Sequence, residues 1–73
     1  MRQLNPKKLL LSKWTAVKPL NKEKHFLIRS AVKPEDDGLP VEQFELEAVH
    51  SGRTQVIHWR ELQDESQWLQ GWK

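Results

Sequence analysis

Between Val41 and Trp59 the sequence repeats with a period of two, which excludes a helix for that stretch and demands a strand with one buried face. Phe44, Leu46 and Ala48 fall on one side, Glu45 and Glu47 on the other. Ser51-Gly52 then interrupts the rhythm before Thr54–Trp59 and fits a two-residue hairpin loop. With His50 opposite Arg53, the expected pairs are Ala48 with Gln55, Leu46 with Ile57 and Phe44 with Trp59, so the apolar pairs all fall on one face. The outer face then receives Glu45 opposite His58 and Glu47 opposite Val56. A second alternating stretch, His25 to Lys33, adds another strand, and a matching register sets Arg29 beside Glu45 to make an Arg29, Glu45, His58 row.

The remaining segments read more coarsely. Asn5-Pro6 resembles a helix cap followed by proline at the first helical position, so residues 7–10 form a single turn at the end of an N-terminal arm, 1–10. Ser12 to Val17 reads as a strand that turns Trp14 and Ala16 inward and ends before Pro19, with a basic turn at 18–24. Residues 33–40 hold two prolines and a glycine among acids, the composition of a mobile loop. Asp64 with Gln67 three residues later matches a capping box, and Gly71 a helix stop. The expected C-terminal helix places Trp68 and Trp72 four residues apart on one side.

The expected fold is therefore one mainly β domain, 1–73, a three- to four-stranded curled antiparallel meander resembling an open small barrel and closed by that short helix. A chain of 73 residues buries only about 60% of its unfolded surface and has no room for two cores. Four tryptophans, Trp14, Trp59, Trp68 and Trp72, supply large apolar surfaces in compensation, each ring burying roughly 150–250 Å² where it is enclosed. Strand alternation assigns Trp14 and Trp59 to the core. The C-terminal pair stays open to a functional role.

Asn5–Val17, Asn21–Phe26, Leu46–Val49, Ser51–Arg53, Trp59–Leu62 and Trp68–Trp72 together resemble a family of small bacterial tryptophan-rich proteins of unknown function. The resemblance spans nearly the whole chain except the acidic stretch at 34–40. It implies a bacterial single-domain protein and carries no activity, ligand or catalytic residue.

Chemistry narrows the functions further. There is no cysteine, and Ser12, Ser30, Ser51 and Ser66 lack any elbow or triad context, so the chain is read as non-enzymatic and without cofactors. His25, His50 and His58 show no ligand spacing, so no metal is expected. Gly38, Gly52 and Gly71 are isolated and cannot form a phosphate loop. The longest aliphatic run, Leu9–Leu11, is far below the ~20 residues of a membrane span, and the N-terminal residues show no export signal, which points to the cytoplasm.

Charge is unevenly divided: residues 1–34 carry nine bases against Glu23, while residues 35–73 carry three bases against nine acids. Two binding readings follow. The first is a protein-interaction or assembly module of unknown partner, using Trp68, Trp72 and Arg60. The second is sequence-nonspecific binding of RNA or single strands through Lys7, Lys8, Lys13, Lys18, Lys22, Lys24 and Arg29. The same split is also what a basic strand lying beside an acidic one would produce.

Overall fold

The computed structural model describes residues 3–73. Met1 and Arg2, the start of the expected arm and one of its bases, lie outside the described residues. Five antiparallel strands form one open sheet in the order β4-β3-β2-β1-β5, with β1 at Lys13–Leu20, β2 at Glu23–Val32, β3 at Gln43–Ala48, β4 at Thr54–His58 and β5 at Trp68–Gln70. Two 3-10 segments, Pro6–Lys8 and Trp59–Gln63, complete the fold. No helix among the described residues is long and apolar enough to cross a membrane. The expected mainly β antiparallel fold is present, but only β1 to β4 run as a meander: a fifth strand crosses back to pair with β1, and it takes the place of the expected C-terminal helix.

The N-terminal turn forms as its residues dictate: the Asn5 side chain accepts from Lys7 N at 3.0 Å and Pro6 opens the turn. Strand β1 runs past Pro19, because that residue falls where pairing with β2 is interrupted, between Thr15 and Leu20, and its missing N–H breaks no ladder bond there. Asn21 and Lys22 then reverse the chain with φ values of 55° and 61°, the positive pair that a type I′ hairpin turn requires. Neither residue is glycine, so this turn stores some backbone strain.

The β3–β4 hairpin keeps the expected faces and shifts the expected register. Phe44 lies opposite Ile57, Leu46 opposite Gln55 and Glu45 opposite Val56. The two-residue displacement preserves parity, so Phe44, Leu46 and Ala48 still point to the core. Its cause is a longer loop: Gly52, at φ 77°, donates back to the Ala48 carbonyl at 2.7 Å, and Ala48 N closes on the Arg53 carbonyl at 2.8 Å. Trp59 thereby loses its expected place opposite Phe44 and becomes the first residue of the second 3-10 segment, half-buried against the core.

The expected Arg29, Glu45, His58 row does not form. Register between β2 and β3 shifts between Ile28 and Ser30, leaving Arg29 unpaired in the ladder as a bulge whose guanidinium meets Glu47 at 2.5 Å. Glu45 lies between Ser30 and Val56, and His58 approaches Glu42 at 3.4 Å while capping the 3-10 segment that follows.

At the C-terminus Asp64 uses its carboxylate locally, accepting from Ser66 N at 3.0 Å and Ser66 Oγ at 2.6 Å, which makes a tight turn rather than a helix cap. The chain leaves that turn beside the open edge of β1, where Trp68 lies opposite Ala16, Leu69 opposite Thr15 and Gln70 opposite Trp14. Ladder bonds to an existing strand outweigh a helix too short to stabilise itself.

The core comprises Leu9, Trp14, Phe26, Ile28, Phe44, Leu46, Ala48, Ile57 and Leu62. Leu9 and Leu62 come from the two 3-10 regions, which fold over the inner face of the sheet. Because Lys22 pays for its positive φ with backbone strain, Lys22→Gly should raise stability by about 0.5–1 kcal/mol. Urea unfolding followed by tryptophan emission checks this, with an unchanged slope and a higher midpoint as the expected result.

Candidate functional site

Alternation along β1 turns Trp14 and Ala16 inward and Lys13, Thr15 and Val17 outward. Thr15 is nevertheless only 1% exposed, because the last residues of the chain cover it. Gly71, at φ 80°, bends the chain out of line with β5 and lays residues 72–73 across the outer face. The Thr15 hydroxyl fastens that tail by donating to the Gly71 carbonyl at 2.7 Å and accepting from Lys73 N at 2.9 Å. The His25 ring adds a contact to the Lys73 carbonyl at 3.1 Å.

This clip positions Trp72. Its indole N–H donates to the Phe26 carbonyl at 3.0 Å, the Lys13 ammonium stands 4.8 Å from the ring, and the His25 ring lies 5.8 Å away. The indole is thus fixed in orientation while Trp72 remains 43% exposed. Leu69, opposite Thr15, and Val17, two residues along β1, extend the outer face with partly exposed apolar side chains.

Trp68 belongs to the other face. It packs edge-on against Phe26 with ring centroids 5.2 Å apart and an interplanar angle of 84°, the T-shaped geometry that aromatic quadrupoles favour. Replacing the expected helix by a strand and a bend therefore separates Trp68 from Trp72 across the sheet and dissolves the single apolar stripe. Arg60 follows β4, the opposite edge strand, and its guanidinium lies 5.4 Å over the Trp59 ring.

The basic candidates divide between the two ends of β1. Lys7 and Lys8 are exposed on the N-terminal 3-10 turn, and Lys13 is held over Trp72. Lys18, Lys22 and Lys24 surround the β1–β2 turn at the other end of the strand. Arg29 is engaged by Glu47. The acid of the turn, Glu23, is only 7% exposed and is occupied by the Ser51 hydroxyl and by Arg53 at 3.3 Å. The turn lysines therefore carry no ion pair among the described residues.

Two arrangements went unread in the sequence. One is the Thr15 clip, whose only signal was a hydroxyl in a strand that otherwise alternates cleanly. The other is the Glu23, Ser51, Arg53 cluster, signalled by a single acid among nine N-terminal bases. Glu23 and Arg53 of that cluster line a cleft of about 270 Å³ together with Phe26, Ala48 and Trp68. Gln55 of β4 lines the same cleft, so the two edges of the sheet curve toward each other.

Thr15→Val should release the tail, since it leaves the Gly71 carbonyl and Lys73 N–H without partners. We expect a loss of about 1–3 kcal/mol in chemical unfolding, with faster amide exchange at Lys73 and a red-shifted Trp72 emission. Unchanged exchange at Lys73 would refute the clip.

No curated protein and no solved structure matches the chain. A family model described as "Tryptophan-rich protein (DUF2389)" matches residues 12–73, from the residue that binds the Trp14 indole to the end of the tail, and the chain belongs to that family.

Proposed function

We propose that the chain is a non-catalytic protein-interaction module whose contact surface is the outer face around Trp72. The observation that carries this reading is the ring itself, exposed at 43% yet held by a hydrogen bond to the Phe26 carbonyl. An aromatic anchor already fixed in place loses little conformational freedom when a partner covers it. Leu69 and Val17 supply adjoining apolar area, and Lys13 supplies a cation beside the indole. The complementary partner is a protein surface that combines apolar side chains with a carboxylate. The proposal extends to a bacterial cytoplasmic setting, where a fold built without cysteine does not depend on oxidation.

A second reading, sequence-nonspecific nucleic-acid binding, draws on the uncompensated Lys18, Lys22 and Lys24 around the β1–β2 turn. Phosphate contacts from such a turn would give a strongly salt-dependent affinity. Trp14 and Phe26 are buried and offer no stacking platform to it.

Tagged wild-type and Trp72→Ala chains, recovered from native lysate with and without nuclease, separate the two. We expect a nuclease-resistant partner on the wild type that is lost from Trp72→Ala. That variant should lose only about 1 kcal/mol of stability, the usual net contribution of one hydrogen bond. A loss of about 3 kcal/mol would mark Trp72 as core and sink the proposal. Recovered nucleic acid that washes off with salt, and that disappears when Lys18, Lys22 and Lys24 are changed to Glu, would favour the second reading.

A further inference from the structure

The two edges of the sheet are guarded very differently. β5 is only three residues long, it ends in the Gly71 bend, and its first N–H already donates to the Asp64 carbonyl at 3.0 Å. β4 is five residues long, and Thr54, Gln55, Val56, Ile57 and His58 include no proline, no lysine and no acid. Long, neutral, β-branched edges are those that natural proteins normally blunt with charge, proline or a covering loop.

Backbone parity shows which groups that edge presents. Ala48 N donates to the Arg53 carbonyl at 2.8 Å and Trp59 N to the Glu42 carbonyl at 3.0 Å, so the odd residues of β4 face β3. The N–H and C=O groups of Thr54 and Val56 consequently point away from the sheet. The side chain of Val56 is 57% exposed beside them.

We infer that β4 is a homodimerisation edge, at which a second copy of this chain pairs antiparallel about a two-fold axis through Val56. In that register both outward groups of Val56 bond to Val56 of the second copy, and Thr54 lies opposite His58 of the second copy. Their side chains stand on one face, giving a β-branched pair at the axis with no like charges opposed. The ladder ends at His58, whose N–H is already taken by the Glu61 carboxylate at 3.0 Å. Because β5, the other edge of the sheet among the described residues, is too short to pair well, the assembly closes at two copies rather than growing into a fibre. This surface is separate from the one around Trp72, and either can fail without the other.

Sedimentation velocity over a wide concentration range provides the test. The wild type should show a monomer–dimer equilibrium, with amide exchange at Thr54 and Val56 slowing as concentration rises. Val56→Pro removes an N–H that faces away from β3, so it should leave the fold intact and weaken association by about tenfold or more, two backbone hydrogen bonds being lost per dimer. If proline unfolds the strand, Val56→Lys places two charges at the axis and should also give monomer. A wild type that stays monomeric throughout, or a folded Val56→Lys chain that still dimerises as tightly as the wild type, would overturn the inference.

Discussion

Phe26 is the point at which the structure is tied together. Its backbone lies opposite Trp14 on β1 and Ala48 on β3, so it stands in the middle of the sheet. Its ring receives the edge of Trp68 on the inner face, and its carbonyl receives the indole of Trp72 from the outer face. Three of the four tryptophans therefore converge on one residue, each by a different interaction. Displacing that ring would loosen β1, β5 and the C-terminal tail together.

This convergence explains why so small a domain is rich in tryptophan. Most β folds bury a sheet face against a second layer. Here the molecule measures 38 × 27 × 16 Å, and the inner face is covered by the curl of the sheet and by two 3-10 segments that contribute Leu9 and Leu62. With no second layer to close the core, large side chains must span the space. Trp14 does so at 1% exposure, its N–H satisfied by the Ser12 hydroxyl at 2.8 Å. Trp59 and Trp68 seal the margins from partly buried positions.

Parity was legible in the sequence, and register was not. Period-two alternation correctly turned Phe44, Leu46, Ala48 and Trp14 inward, because burial acts on each residue separately. Register depends on how many residues the loop consumes, and Ser51-Gly52 reads as a two-residue turn until the hydrogen bond from Gly52 back to Ala48 is seen. The C-terminus failed for a related reason. Asp64 followed by Gln67 suits a capping box, while Asp64 followed by Ser66 suits a local turn, and the choice between them was made by the open edge of β1, roughly fifty residues away in sequence. The single turn at Pro6–Lys8 was legible because Asn5 and Pro6 act only on their neighbours. Of the candidate site, Trp72 could be singled out in advance, but not its clip to Thr15, which joins positions that no local pattern connects.

The charge division shows how topology can hide an apparent functional signal. Arg29 meets Glu47 across the β2–β3 ladder, and Arg53 reaches back to Glu23, so one base from each half of the sequence is matched by an acid of the other. Among the described bases left without an ion pair, Lys18, Lys22 and Lys24 gather at the β1–β2 turn while Lys7 and Lys8 lie on the N-terminal 3-10 turn, so they fall into separate groups. Trp72 stands outside the core and is 43% exposed, while its orientation is set by its bond to the Phe26 carbonyl and by a tail that Thr15 and His25 fasten. Such specific fastening of an exposed ring is hard to account for by stability alone, and it is the reason the outer face, not the core, bears the functional argument.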